Sequence, residues 1–336
     1  MSAQLILDQP APHDGLRPLD PRRDLNQVAD LIEEAFSGEL EPGGIAALRD
    51  LRMLSRVGPL VSFMARSDPY LEDVLGGFVW VENGRVVGNV TLQRMDSYGS
   101  RWQIANVAVT RAYRGRGIGR ALVEAALARI YERRGSWAVL QVRTDNTIAR
   151  GLYETLGFEP LTQDAWLQLD QLPAGLAPVA QPAGLHPFNM NEWQALYRLT
   201  SACRSEEAQW WRPVRSHDFM QLADQRMGER LWELAGRNRI RRLAIHGSAG
   251  LLAWLSIDAR RWQGVHQLAF AVHPTVRGQY EQPLVRYALA FLADYPQRPV
   301  RVDHQGEHLE LMSALQDAGF RVVRNHLAMR RRIHTT

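Results

Sequence analysis

The sequence predicts a mixed α/β fold that occurs twice in tandem, and three observations carry this. Up to residue 170, helical and strand-like patterns interleave. Residues 171–184, QLPAGLAPVAQPAG, hold no charge, three prolines and two glycines, which reads as a stiff linker. On either side of it the chain repeats itself. VAVTRAYRGRGIGRALVEAALA lies over FAVHPTVRGQYEQPLVRYALAFLA, and TDNTIARGLYETLGF over HQGEHLELMSALQDAGF. The expected domains are therefore 1–170 and 185–336.

The first domain opens with DLNQVADLIEEAF, where Leu25, Val28, Leu31, Ile32 and Phe36 recur at helical spacing; residues 45–57 give a second helix. Two β-rich segments meeting at Asn83-Gly84 form a hairpin signal. A strand over 102–109 then enters the glycine-rich RGRGIG, followed by a helix from about Arg120 to Arg133. A strand over 137–142, a helix from about Thr147 to Leu156 and a strand at WLQLD complete the domain. In the repeat, Arg114 and Gly115 fall on Arg277 and Gly278, and Gly157-Phe158 on Gly319-Phe320. Gly117, Gly119 and Arg120, however, become Tyr280, Gln282 and Pro283, so the second glycine loop has been dismantled.

Composition bounds the function. The chain has 336 residues, 46% hydrophobic and 23% charged, enough to bury a core in each half. No apolar run approaches the ~20 residues needed to cross a bilayer, and the expectation is a cytoplasmic protein without membrane association. Cys203 is the one cysteine, which suits a reducing compartment and leaves no cysteine-based metal site. All 40 basic residues are arginine, which rules out a Schiff-base or Walker-type lysine. The half up to residue 170 has 19 arginines against 22 acidic residues, and the rest has 21 against 14. Those later arginines are scattered and no nucleic-acid module accompanies them, so nucleic acid is not an expected partner.

The loop is the chemical centre of the sequence. Glycines at 115, 117 and 119, where a strand turns into a helix, let several N–H groups converge on an anion without interference from a Cβ. The helix start adds a partial positive charge, and Arg114, Arg116 and Arg120 add full ones. A dinucleotide fingerprint is the wrong context, because a hairpin and two helices precede the strand and no acidic residue ends WAVLQVR.

RGRGIG after IANVAV, together with NTIARGLYETLGF after LQVR, resembles the GNAT superfamily of acyl-CoA-dependent N-acyltransferases over about residues 16–170. The second domain resembles the same fold with an eroded loop. The resemblance implies, for each copy, a mostly antiparallel sheet with a central parallel pair flanked by helices, and acetyl-CoA as co-substrate with no metal. It implies that Arg114, Gly115, Arg116, Gly117, Ile118, Gly119 and Arg120 hold the pyrophosphate. Val107, Ala108 and Val109 would pair with the pantetheine arm, Asn146 would bond that arm or hold the splayed strand, and Tyr153 would protonate the departing thiolate. Asn146 before TIARGLY also suits a plain helix N-cap. The spacing of Ile148, Ala149, Leu152 and Leu156 also admits Tyr153 as a core residue. Where family members often carry a glutamate base, this chain has Ala105 and Gln141. Glu33, Glu34, Glu39 and Glu41 remain as an acidic cluster for the acceptor, a small-molecule or peptide amine. A non-catalytic acyl-CoA sensor is the alternative, and both monomer and homodimer stay open.

Overall fold

The computed structural model describes residues 14–37, 42–56, 76–176, 178–224, 236–305 and 308–333. The chain divides into two compact units that are not consecutive in sequence. The first comprises 1–141, 151–159 and 329–336; the second comprises 142–150 and 160–328.

In the first unit, β1 (Gly15–Pro18) precedes helices α1 (Leu25–Ala35) and α2 (Pro42–Arg56). Strands β2 (Gly77–Glu82), β3 (Arg85–Arg94) and β4 (Arg101–Val109) follow, then α3 (Ile118–Glu132), β5 (Trp137–Arg143) and α4 (Thr147–Thr155). The sheet runs antiparallel from β1 to β4, and β5 joins β4 in parallel. The predicted hairpin turns at Asn83 (φ +50°) and Gly84 (φ +72°), both left-handed, as a two-residue connection of twisted strands requires. The predicted face of α1 is buried through Leu25, Val28, Leu31 and Ile32. It packs with Val79, Val81, Val86 and Ala108 of the sheet. Helix α3 buries Ile118, Leu122, Val123, Ala126, Leu127 and Ile130. Strand β1 was not foreseen, since four residues ending in proline carry almost no periodic signal.

The second unit repeats this order. Here β6 (Glu159–Leu169) and β7 (Leu185–Pro187) precede α5 (Trp193–Cys203), α6 (Glu206–Trp211) and α7 (Ser216–Asp224). After them come β8 (Asn238–Gly247), β9 (Gly250–Arg260), β10 (His266–Val272), α8 (Glu281–Leu292), β11 (Val300–Gln305), α9 (Leu309–Asp317) and β12 (Arg321–Arg332). Strands β7 to β10 are antiparallel, and β10 and β11 are parallel. The mixed sheet with one parallel pair thus occurs in both units.

The two units are interleaved along the sequence. Strand β6, which follows α4 in sequence, pairs antiparallel with β11 of the second copy, from Leu169↔Val300 to Asp164↔Gln305. The residues from Met329 onward count with the first unit. There, Ile333 N–H donates to the Ser136 carbonyl at 2.9 Å, and Arg331 Nη1 to the Leu156 carbonyl at 2.6 Å. Duplicated folds present equivalent edges, so a closing strand fits either copy, as in domain swapping. Among the described residues no helix is long and apolar enough to cross a membrane.

Candidate functional site

The site begins with a defect in β4. Asn89 faces Ala108 and Thr91 faces Ala105, so Val90 opposes both Asn106 and Val107, which is a β-bulge. Asn106 sits at φ +50°, a left-handed conformation that asparagine tolerates better than most residues. Side chains pin it from both directions. Asn89 Nδ2 donates to the Asn106 carbonyl at 3.1 Å, Asn106 Nδ2 donates to Thr91 Oγ1 at 3.0 Å, and Thr91 Oγ1 donates to the Ala105 carbonyl at 3.1 Å. Parallel pairing of β4 with β5 runs from Arg101↔Trp137 to Ile104↔Leu140 and ends there. Val107, Ala108 and Val109 therefore lie on an edge that β5 does not cover. In the second unit β9 and β10 keep unbroken register from Asp258↔Gln267 to Ala253↔Val272, with no bulge.

The strand then delivers the glycine loop. Gly115 and Gly117 adopt φ +78° and +79°, and a Cβ at either would meet no atom within 4 Å. Here glycine serves backbone conformation, and the space before the loop is open. The first helical bond of α3 runs from Ala121 N–H to the Gly117 carbonyl at 3.0 Å. The amides of Gly115 through Arg120 donate to no described residue. Six such donors at the positive end of a 15-residue helix are able to hold an anion.

Gly119 differs from its neighbours, because its added Cβ would make ordinary contact with Leu152 Cδ2 at 3.8 Å and Val109 Cγ2 at 3.9 Å. Gly88 on β3 is the more demanding position. A Cβ there would stand 3.0 Å from both Ile118 Cγ2 and Leu122 Cδ1, so its absence lets α3 start close against the sheet. The sequence reading missed Gly88, although an isolated glycine inside VVGNV is a recognised sign of close approach. It also missed the Asn89, Thr91 and Asn106 network, which has no periodic signature.

All three loop arginines are exposed. Arg114 Nε donates to the Val109 carbonyl at 3.0 Å, bracing the turn. The Arg116 guanidinium lies 5.0 Å from the Tyr113 ring centre. Arg120 Nη2 reaches Thr155 Oγ1 at 2.9 Å.

Tyr153 is 6% exposed and meets Phe158 edge-on at 6.0 Å between ring centres. Burial pushes its phenol up to about 12, so it keeps its proton at neutral pH. Asn146, which counts with the second unit, caps α4 by accepting from Ala149 N–H at 3.0 Å on Oδ1. Glu33 shares Arg52 of α2 with Asp30, at 2.6 and 2.8 Å, an exposed clamp between the two helices. Glu34 is exposed, and Glu39 and Glu41 lie outside the described residues. Among the described residues no group of three His, Cys, Asp or Glu side chains is placed to hold a metal ion.

Residues 45–158 match the sequence profile of the acetyltransferase (GNAT) family. The chain is 36% identical over 83 residues to N-alpha-acetyltransferase 30 of Schizosaccharomyces pombe, covering 24% of this chain and 55% of that one. It is 32% identical over 153 residues to the mycothiol acetyltransferase of Thermobispora bispora, covering 44% and 48%. A tandem GNAT protein from the clavulanic acid biosynthesis pathway superposes with a TM-score of 0.56 at 19% identity, over 96% of this chain and 99% of that one. Residues 45–158 thus carry a GNAT domain, and the chain as a whole shares the fold of a tandem GNAT protein. It spans about half the length of the curated relatives it matches.

GNAT proteins use acetyl-CoA, and the first unit has groups able to meet such a ligand. Unspent amides and open space before Gly115 and Gly117 suit a diphosphate, and the uncovered edge of β4 suits an extended amide-bearing arm.

Proposed function

We propose that the chain is an N-acyltransferase that moves an acetyl or other small acyl group from acetyl-CoA to a primary amine of a small molecule or peptide, by direct attack in a ternary complex. The observation that carries this reading is the run of six amides from Gly115 to Arg120 that have no partner among the described residues. In the reaction the amine nitrogen bonds to the thioester carbonyl carbon, the carbon–sulfur bond breaks, and the sulfur leaves with the electron pair. Tyr153, whose buried phenol stays protonated at neutral pH, gives its proton to that sulfur, while the attacking nitrogen gives up a proton to water, from which the phenol is restored. A backbone N–H of the Val107–Val109 edge stabilises the charge that gathers on the carbonyl oxygen. Only one cysteine is present, Cys203, in the second unit, and burial pushes its thiol up to about 11, which argues against an acyl-enzyme.

Ala105 and Gln141, where a glutamate base is common, favour a second reading, a non-catalytic acyl-CoA sensor. A thiol-release assay with acetyl-CoA across amino acids, polyamines, aminoglycosides and peptide N-termini decides between them. Turnover with any amine class supports the transferase. Tight binding by calorimetry without release on the whole panel supports the sensor.

A further inference from the structure

The second unit's loop differs from the first in what its amides hold. Gly278 keeps the left-handed turn at φ +85°, and no atom would meet a Cβ there. Its N–H donates to Glu281 Oε2 at 2.9 Å, and the N–H of Tyr280 to the same oxygen at 3.2 Å. Gln279 N–H turns inward to the Val276 carbonyl at 3.2 Å. On the other side, His308 Nε2 contacts Glu281 Oε1 at 2.6 Å. Glu281 is 2% exposed. A full carboxylate thus lies buried at the positive end of a 12-residue helix, with backbone N–H groups on one oxygen and an imidazole on the other.

In the first copy the residue aligned with Glu281 is Ile118, which has nothing to offer an amide, and there the amides have no partner among the described residues. A second feature accompanies the buried carboxylate. His304, 3% exposed, has its ring centre 6.5 Å from that of His308, and its Nε2 has no hydrogen-bond partner among the described residues. Buried polar atoms of this kind ordinarily mark a place where a ligand or water belongs.

We propose that the second loop is an anion-binding nest whose resident ligand is the chain's own Glu281 carboxylate, and that the nest accepts phosphate once that carboxylate is removed. A helix-capping glutamate would give similar distances, but its loss is not repaired by a soluble anion. The proposal stands whether or not the first loop takes acyl-CoA, because its test reads the second loop alone.

The test is hydrogen exchange of the amides at 278–280 in the full chain, for the native protein, Glu281→Ala and Glu281→Ile, with inorganic phosphate or with sodium chloride at matched ionic strength. The native amides are expected to stay protected in both salts. In both variants the amides of 278 and 280 should exchange at least about tenfold faster in chloride and recover most of that protection in phosphate. Folding of a variant in phosphate but not in chloride supports the proposal equally. Variant amides that stay unprotected in saturating phosphate would overturn it, as would variants that fold in neither salt or native amides that already respond to phosphate.

Discussion

Asn89 donates from Nδ2 to the carbonyl of Asn106 at 3.1 Å, and this bond holds the bulge at which β4 parts from β5. Asn89 has no exposed surface, so losing its donor leaves a carbonyl in the interior with no replacement from water. Asn89→Leu is expected to cost about 1–3 kcal/mol in denaturant unfolding, because a buried acceptor goes unpaired. It should also weaken acetyl-CoA binding about tenfold, the equivalent of roughly 1.4 kcal/mol, as the strand edge relaxes. Unchanged affinity in a destabilised variant would confine the bulge to a structural role.

Gly117 carries a left-handed backbone with open space around it, so a side chain there strains the turn and also enters the volume assigned to the ligand. Gly117→Val should therefore weaken acetyl-CoA binding about a hundredfold while costing only about 1–3 kcal/mol of stability. Calorimetry alongside thermal unfolding separates the two effects. Gly119→Ala, with ordinary contacts at 3.8 and 3.9 Å, should bind within about threefold of the native chain.

Tyr153→Phe keeps the edge-on contact with Phe158 and removes only the hydroxyl. Turnover should fall about 10²- to 10³-fold while the dissociation constant for acetyl-CoA stays within about threefold, the signature of a group that acts in the transition state. A matched loss of both would return Tyr153 to the core.

His304 gives the second unit a pH dependence. Burial, then His308 and Arg277, pull its imidazole down from 6.5 to about 4. An unfolded histidine takes its proton near 6.5 and the folded one near 4, so the unfolded state binds more protons between those values. Stability should fall as pH drops through that window, by on the order of 3 kcal/mol. Glu281 faces His308 close by. Burial alone would raise its carboxyl, but the His308 and backbone hydrogen bonds hold it below its ordinary range, so it adds to the loss at the acid end. Denaturant unfolding at pH 7 and pH 4.5 should show the drop in the native chain and a smaller one in His304→Gln.

Much of the fold was legible because it rests on local chemistry. The Asn83-Gly84 turn, the apolar stripe of α1 and the glycines of the loop each announce a backbone conformation within a few residues. The duplicated strand-loop-helix pattern also gave the tandem order. The pairing of β6 with β11 was not legible, because the two copies present equivalent edges and nothing within a strand says which one it joins. The bulge network was hidden for a related reason, since Asn89, Thr91 and Asn106 meet only across paired strands. At the second loop the changes at Tyr280, Gln282 and Pro283 are the visible ones in the sequence, whereas Glu281 between them holds the amides.

Whether the coenzyme occupies the first loop is read from amide hydrogen exchange of the native chain with and without acetyl-CoA. Exchange should slow across residues 115–120 on adding the coenzyme and stay unchanged across 278–282. Protection appearing at 278–282, with 115–120 unaffected, would contradict that occupancy.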